Sequence, residues 1–252
     1  IMLCGGFDGL NYCAVRTAFQ INGSNFNDVK VLPDMINERQ FSKFICLKGE
    51  VYILGGYDEN VQNIRSIDKY SPSTNKWTKV GCMNDDRYIF CACAFINKIF
   101  IFGGRCEVND NEITTTANTC LQLDVSDKSW NKITEMKTPR SDAACVVFEG
   151  NIIVSGGIVD FTVNTNTVES YDVIADKWSS FPSMMHGKDG HSLAVVRNFL
   201  FVFDTYPGIA EVFDNVSNNF VALKKVNSFV DLEAVSIGSK IIIIQNEKKQ
   251  IV

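Results

Sequence analysis

The sequence predicts an all-β fold assembled from repeated four-stranded sheets, and three observations lead to this prediction. Between Pro139 and Trp178, four short apolar runs alternate with turns, a pattern typical of an antiparallel meander. Arg39, Arg87 and Arg140 each stand 16 residues before a Gly-Gly pair. These pairs recur about every 50 residues, and a repeat of that length with four short strands per unit predicts a β-propeller.

Other residues keep the same register from unit to unit. Arg87, Arg140 and Lys188 each stand 10 residues after a tryptophan of the preceding unit: Trp77, Trp130 and Trp178. An apolar residue lies seven positions before each of these tryptophans: Tyr70, Leu123 and Tyr171. Some units depart from the pattern by single replacements: Phe26 and Phe220 for Trp, Lys188 for Arg, and Asp204 for the first Gly.

This set of residues resembles the kelch repeat, and the resemblance covers nearly the whole chain. It implies a six-bladed kelch β-propeller in which each blade has strands a to d, counted outward from the propeller axis. The first unit starts at strand b, and the last unit ends early in strand c, at residues 250–252. C-terminal residues commonly supply strand a of the first blade in this family. We therefore expect an incomplete C-terminal blade and a circle that is not fully closed, with an irregular closure as the alternative.

Short apolar runs bounded by turn residues place the strands in chain order. Blade 1 is expected to have strand b at residues 1–4, strand c near 13–19 and strand d from Phe26. The predicted strands of blades 2 to 6 follow in order: 41–47, 51–54, 64–70 and 77–80; 89–95, 99–102, 119–125 and 130–133; 143–148, 152–155, 168–173 and a run from Trp178; 191–196, 200–203, 209–213 and 220–223; 232–237 and 240–244.

We assign the chain to one kelch propeller domain, residues 1–252. The resemblance and the repeat spacing together give approximate blade boundaries, because the marks recur at the same offsets, although the sixth unit has no Gly-Gly pair after residues 241–244. The expected blades are residues 1–37, 38–84, 85–137, 138–185, 186–227 and, for the partial sixth blade, 228–252.

Composition restricts the class of function. The net charge is −5 and no basic stripe is visible, which argues against nucleic-acid binding, and no apolar run is long enough to cross a membrane. The nine cysteines show no disulfide-like spacing, and several lie inside predicted strands, which is typical of a reducing compartment. We expect a cytoplasmic protein, with the nucleus or the cytoskeleton as alternatives.

The repeated glycines and tryptophans are interpreted as structural residues. Strand b ends where neighbouring blades crowd together, so glycine permits a close backbone approach and unusual dihedral angles. The Trp of strand d is expected to bury its ring between blades. A phosphate site would need a helix after the Gly-Gly pair, and no helical period follows any of these pairs. We predict no cofactor and no metal.

The connections between strands predict where a partner binds. The a–b turns are tight, whereas the b–c loops are long and varied, and binding residues concentrate on variable loops held by a rigid scaffold. We therefore assign partner binding to the end of the blades that carries the b–c and d–a connections. Related kelch domains hold peptides there with Arg, Ser, Tyr and Asn side chains. The resemblance implies these candidates by position: Arg39, Tyr57, Asp58, Asn60, Arg87, Tyr88, Arg105, Arg140, Ser141, Lys188 and Tyr206.

Two groups of these candidates have a structural alternative. The cations in repeat register are the first group, because a repeated Arg could instead bond loop carbonyls and fix the d–a turn. Tyr57, Arg105 and Tyr206 form the second group; we interpret them as lying outside the register, so that ordinary surface exposure is their alternative. If the first group binds a partner, replacing Arg87 and Arg140 should weaken binding while the melting temperature changes little.

The resemblance is strongest to BTB-kelch proteins, which implies a substrate-recognition domain and no enzyme activity. In such proteins an N-terminal BTB region, which is not in this chain, docks a cullin ubiquitin ligase while the propeller holds a protein or peptide substrate. An actin-binding kelch protein is the second hypothesis. A galactose-oxidase-like copper enzyme is a remote third, because the chain has only His186 and His191, on adjacent segments, as imidazole ligands.

Overall fold

The computed structural model describes residues 2–5, 7–8, 13–22, 25–60, 62–108, 113–204, 209–223, 232–237 and 240–245. Within these ranges every regular element is a β-strand. No helix that could span a lipid bilayer occurs in this part of the chain.

The strands form antiparallel meanders in which each strand of a blade pairs with the next. Blade 1 shows three strands: Met2–Cys4, Ala18–Asn22 and Asn25–Leu32. Blades 2 to 5 each have four strands, a to d in order: Lys43–Leu47, Glu50–Leu54, Ser66–Ser71 and Lys76–Cys82; Cys91–Phe95, Lys98–Phe102, Cys120–Asp124 and Ser129–Ile133; Ala144–Phe148, Asn151–Ser155, Val168–Asp172 and Lys177–Phe181; Ser192–Val196, Phe199–Phe203, Ala210–Asp214 and Asn219–Ala222. Blade 6 shows two strands: Leu232–Ile237 and Lys240–Gln245.

The predicted strands of blades 2 to 6 are confirmed, with bounds that shift by one or two residues. Strand c of blade 1 was placed too early, because Ala18–Asn22, and not residues 13–19, pairs with Met2–Cys4. In that register Ala18 lies opposite Cys4 and is fully buried. The strand predicted at residues 250–252 lies outside the described residues, so the expected closure of the circle stays a prediction.

The b–c connections carry short extra hairpins that were predicted as loops. Phe7–Asp8 pairs with Cys13–Ala14 in blade 1, and Ile158–Val159 pairs with Val163–Asn164 in blade 4. In blade 3, three short strands form one sheet: Arg87–Tyr88, Arg105–Val108 and Ile113–Thr116. The loops at this end are therefore ordered by backbone pairing and not only by their attachment to the blades.

The inner strands are apolar on both faces, whereas the outer strands alternate. Ile152, Ile153 and Val154 of blade 4 strand b are all buried, as expected for a strand that is covered on both sides. Strand d of the same blade, Lys177–Phe181, exposes three of its five side chains and half-buries the other two. The core of each blade thus lies around strands a to c, and strand d forms the solvent edge.

The Gly-Gly pair explains how neighbouring blades fit together. Gly156 and Gly157 have φ angles of 59° and 93°, in the left-handed region that favours glycine. A Cβ on Gly156 would lie 2.6 Å from the Lys188 carbonyl oxygen, and one on Gly157 would lie 2.5 Å from the Ser141 carbonyl oxygen. No side chain fits in that space, so the predicted close backbone approach is confirmed.

The tryptophans join each blade to the preceding one. Trp178 donates its indole N–H to the Thr134 carbonyl at 2.8 Å, and its ring centre lies 4.9 Å from Tyr171 and 5.5 Å from Phe102. Two further indole N–H groups make the equivalent bond, from Trp77 to Pro33 O and from Trp130 to Cys82 O. The interpretation of these rings as packing between blades is confirmed.

The described residues divide into two compact units. The first lies within Ile1–Phe100, Arg105–Thr115 and Gln122–Asn131, and its core includes Ala18, Leu32 and Tyr70. The second lies within Ile101–Gly104, Thr116–Leu121 and Lys132–Val252, and its core includes Ile153, Leu200 and Phe213. Blade 3 contributes segments to both units.

Candidate functional site

The repeated cations lie between strand d of one blade and strand a of the next, and all four are buried. The side chains of Arg39, Arg140 and Lys188 expose none of their surface, and that of Arg87 exposes 1%. A charged group that loses its water needs a counter-charge and hydrogen bonds. The counter-charge and the hydrogen-bond acceptors of each cation therefore indicate its structural role.

Arg39 ties strand b of blade 2 to strand c. Its Nη1 donates to the carbonyl oxygens of Gly55 and Ser66 at 3.0 and 3.2 Å, and its Nη2 bonds Ser66 Oγ and pairs with the buried Asp68 carboxylate. Burial raises the pKa of the Asp68 carboxyl, and the adjacent guanidinium opposes that rise. Burial also lowers the pKa of Arg39, but an arginine keeps its proton in proteins, so the guanidinium stays charged.

Arg140 makes the same contacts in blade 4. It donates to the carbonyl oxygens of Gly156 and Thr167 at 2.7 and 3.1 Å and pairs with Glu169 at 2.7 Å. The Glu169 carboxylate also accepts the backbone N–H groups of Lys137 and Thr138, at 2.9 and 3.1 Å. One ion pair thereby joins strands b and c to the d–a connection that precedes the blade.

Lys188 uses two carboxylates where the arginines use one. Its ammonium lies 3.0 Å from Asp204 and 3.0 Å from Glu211. Asp204 occupies the position of the first glycine in the other units, whose carbonyl accepts from the arginine in blades 2 and 4. The two departures of this unit from the repeat therefore belong together: a side-chain oxygen replaces the carbonyl contact for the single ammonium group.

Arg87 has a different partner. It forms a two-bond fork with the neighbouring Asp85, with Nε–Oδ1 and Nη2–Oδ2 distances of 2.9 and 2.6 Å. Asp85 is 35% exposed, whereas Asp68, Glu169 and Glu211 are buried. The reason lies in strand c of blade 3, where Leu121 stands at the position of those acids.

The carboxylate partners were missed by the sequence analysis, although a spacing signal existed. Asp68, Glu169 and Glu211 each stand nine residues before the aromatic residue of strand d, which is Trp77, Trp178 or Phe220. A repeated acid at a fixed offset inside an apolar strand predicts a buried ion pair, because an unpaired charge would not be kept there.

These contacts match the structural alternative for the four cations. Each one bonds carbonyls or carboxylates of its own blade and fixes the d–a connection, and none has a side-chain surface to offer a partner. The expectation that replacing Arg87 and Arg140 leaves melting unchanged is therefore revised. Loss of these side chains should lower stability, and our binding proposal below leaves them out.

Tyr57 and Arg105 occupy a repeated position, the residue directly after the Gly-Gly pair. Tyr57 pairs with Gln40 through two backbone bonds of 3.0 and 2.9 Å, and Arg105 pairs with Tyr88 in the same way. Tyr57 and Arg105 each directly follow a Gly-Gly pair, so our interpretation that they lie outside the register is corrected. Tyr206 stands at the same offset after Asp204 but lies outside the described residues.

Three candidates shape the loops in different ways. The Asp58 carboxylate accepts the backbone N–H groups of Asn60 and Gln62 at 2.9 and 2.8 Å, which closes the turn after Tyr57. Asn60 is exposed at that turn. Ser141 is fully buried, and its backbone pairs with Ile158.

An aromatic cluster lies on the connections of blades 2 and 3. The ring centre of Tyr57 is 5.1 Å from that of Tyr88 and 6.5 Å from that of Phe41. Phe41 is 66% exposed and has a φ of 55°, a conformation that is unfavourable for a bulky residue. Phe41 was not predicted as a binding residue, because the apolar pattern placed it at the start of strand a.

The described residues contain no group of three or more His, Cys, Asp and Glu side chains that could hold a metal ion. His191 is buried, and its Nε2 lies 2.7 Å from Ser155 Oγ. The contact joins strand b of blade 4 to the residue that precedes strand a of blade 5, so this imidazole packs and bonds between two blades.

Repeated four-stranded blades, locked by a Gly-Gly pair, a buried cation and an aromatic residue of strand d, define a β-propeller repeat protein. The family model described as KLHDC2/KLHL20/DRC7 Kelch-repeats domain matches residues 1–204. The chain belongs to this kelch family, whose repeats are generally non-enzymatic protein-interaction domains, and it is a kelch β-propeller domain.

Curated relatives come from viruses and from vertebrates. Kelch repeat protein M-T8 of Myxoma virus is 24% identical over 195 residues, which covers 77% of this chain and 36% of that protein. Kelch-like protein 23 of Homo sapiens is 24% identical over 206 residues, covering 82% and 35%. Kelch-like protein 40 of Xenopus tropicalis is 27% identical over 173 residues, covering 68% and 26%. The matches thus span about a quarter to a third of these relatives.

Proposed function

We propose that this chain is the substrate-recognition domain of a BTB-kelch adaptor for a cullin-RING ubiquitin ligase, and that it binds a peptide of a target protein. The observation that carries the proposal is an aromatic cluster of the exposed Phe41 and the half-buried Tyr57 and Tyr88, on connections that are held by the ion pairs of the buried Arg39 and Arg87. Aromatic and arginine side chains carry most of the binding energy of protein interfaces.

The binding surface that we propose consists of the aromatic cluster together with Asn60 and Arg105. Backbone pairing of Tyr57 with Gln40 and of Tyr88 with Arg105 holds these residues in place before a partner arrives. Preorganised side chains lose little conformational entropy on binding, which favours affinity. Asp58 supports the surface by closing the turn that presents Asn60.

The ligase role is proposed from the relatives. Kelch-like proteins 23 and 40 are about three to four times as long as the segment they share with this chain, so they have room for a further region. A BTB region and a cullin belong to this proposal, as does a cytoplasmic location, which the free cysteines of the described residues favour. We propose no catalytic role.

Replacing both Tyr57 and Tyr88 with alanine is expected to weaken the binding of a partner protein captured by the immobilised chain. The expected loss is about tenfold or more, since each aromatic anchor contributes on the order of 1–2 kcal/mol. The measurement is quantitative mass spectrometry of proteins retained by the immobilised chain. Phe199→Ala is the matched control, because Phe199 is an aromatic residue, 53% exposed, that follows an a–b turn.

The outcomes separate the hypotheses. If the Tyr57→Ala, Tyr88→Ala variant retains the partner as well as the wild type does, the proposed surface is wrong. It is also wrong if Phe199→Ala loses the partner while the double variant retains it. Co-sedimentation with filamentous actin, abolished by the double variant, would replace the ligase reading with a cytoskeletal one. Co-precipitation of a cullin by the full-length protein, but not by this chain alone, is the result that supports the adaptor role.

A further inference from the structure

A groove with a volume of about 410 Å³ opens along the outer strand of blade 2. One wall is the backbone of residues 78–82, and the other is formed by Leu123, Val125 and Trp130 of blade 3. None of the residues that line it belongs to the partner surface proposed above. The groove and the proposed partner surface are therefore separate sites, and both lie in the first compact unit.

The strand that borders this groove contains a β-bulge. In strand d of blade 2, Gly81 pairs with Ile67 while Lys79 pairs with Asp68, so Val80 is an extra residue without a pair in strand c. Strand d of blades 4 and 5 pairs with strand c without such an interruption. Bulges bend a strand and increase its twist, and they are over-represented beside functional sites.

The bulge also displaces the contact between blades 2 and 3. The indole N–H of Trp130 bonds the carbonyl of Cys82, five residues before Arg87, whereas Trp178 bonds Thr134, six residues before Arg140. The acceptor has thus moved by one residue. Gly81 is left facing open space, with no atom within 4 Å of an added Cβ.

The residues that line the groove combine apolar side chains with positive charge only. Ile67 and Tyr52 form a buried floor, and Leu123 of the blade 3 wall is also buried. The charged residues of the lining are Lys69, Lys79 and Lys128, with no Asp or Glu among the lining residues, although the whole chain has a net charge of −5. Lys69 lies 3.6 Å from Glu50, but both side chains are partly exposed, and such surface pairs are weak.

We propose that this groove binds an extended peptide segment in which acidic residues alternate with apolar ones. Lys76–Cys82 is the terminal strand of its sheet, so its outer backbone edge can receive an added strand, apart from the Cys82 carbonyl that accepts from Trp130. Side chains of an added strand alternate in direction. Apolar side chains would then contact the floor and Trp130, and the alternate carboxylates would face Lys79 and Lys128, because Lys69 shares a sheet face with Ile67 of the floor.

Cys82 offers a native reporter of occupancy. It is exposed and lines the groove, whereas Cys46 is exposed but does not line it. The probe is a synthetic peptide that alternates Asp with Leu and Phe, and its matched counterpart carries Lys in place of Asp. We expect the acidic probe to slow iodoacetamide modification of Cys82 by about tenfold, the change that near-saturating occupancy produces, with Cys46 unaffected.

Charge variants test the recognition chemistry. Lys79→Glu with Lys128→Glu should weaken protection of Cys82 by about tenfold or more, and raising the salt concentration should weaken it in the wild type. Lys132→Glu with Lys177→Glu makes the same change in net charge at exposed residues outside the groove and should leave protection unchanged. Lys79→Gln with Lys128→Gln is the milder second variant if the reversal disturbs folding.

Three results would overturn the proposal: equal protection by the lysine peptide, equal protection of Cys46, or no protection of Cys82 by the acidic probe. Protection that disappears in the Tyr57→Ala, Tyr88→Ala variant would also overturn it, because the probe would then occupy the partner surface. The groove and the proposed function are thereby tested independently.

Discussion

Replacing Glu169 with alanine is expected to lower the free energy of unfolding by about 3–5 kcal/mol, the effect of removing one member of a buried ion pair. The variant leaves the fully buried Arg140 guanidinium without its counter-charge. It also leaves the backbone N–H groups of Lys137 and Thr138 without their acceptor. Strand c would thereby lose its side-chain contacts with Arg140 and with the d–a connection that precedes the blade.

Urea unfolding of the wild type and the variant measures this effect. Arg16→Ala is the matched control, because Arg16 pairs with Asp34 at 3.6 Å while both side chains are more than half exposed. Such surface pairs contribute about 0–1 kcal/mol. A loss for Glu169→Ala no larger than that of the control would contradict the structural role of the buried pair.

A double replacement separates the charge from the packing. Arg140→Met with Glu169→Leu removes both charges, so no isolated ion remains in the blade, and it should recover part of the stability that Glu169→Ala loses. Recovery will be incomplete, since the carbonyls of Gly156 and Thr167 lose their donor. If the double variant is less stable than either single variant, the uncompensated charge is not the cause.

Restoring the repeat glycine at position 204 is expected to destabilise the protein by about 1.5–3 kcal/mol, the range for a hydrogen bond to a charged group. The repeat pattern alone would favour Asp204→Gly as a stabilising change. In this blade, however, Asp204 is one of the two carboxylates that lie 3.0 Å from the Lys188 ammonium. Without it, Glu211 becomes the remaining carboxylate of this ion cluster.

A second replacement, Lys188→Arg, is expected to compensate for the stability that Asp204→Gly loses. Asp204→Gly combined with Lys188→Arg recreates the pair of residues found in blades 2 and 4, where an arginine bonds a glycine carbonyl. The double variant should unfold at a urea concentration close to that of the wild type. Additive losses from the two replacements would show that residues 188 and 204 are not coupled.

The strands and the blade junctions could be predicted from the sequence because their signals are local. Apolar runs between turns locate strands such as Asn151–Ser155, and a fixed spacing identifies Gly156 and Trp178 as junction residues. Strand c of blade 1 escaped this reasoning. Its boundary depends on which residue pairs with Cys4, and the run from residue 13 to 19 satisfies the apolar pattern equally well.

The burial of the cations could not be predicted in the same way. Arg39 and Asp68 are 29 residues apart, and only the folded blade brings them together. An arginine before a variable loop suggests a binding residue from its sequence neighbours alone. Phe41 likewise follows an apolar pattern in the sequence, but its ring is 66% exposed in the folded blade.

At this end of the blades, buried ion pairs therefore stabilise the scaffold, and the exposed loops are proposed to bind the partner. Arg39 and Asp68 hold the ends of strands b and c from inside, so the residues outside them can vary without loss of the scaffold. Blade 3 shows how the arrangement tolerates change. Leu121 replaces the buried acid there, and Arg87 turns to the partly exposed Asp85.

Hydrogen exchange of the chain with and without its captured partner tests the central claim most directly. The account predicts slower amide exchange on binding at residues 57–60 and at Tyr88, beside the aromatic cluster, with little change at the a–b turn of residues 47–50. Slower exchange at that turn, with residues 57–60 unaffected, would contradict the assignment of partner binding to the b–c and d–a connections.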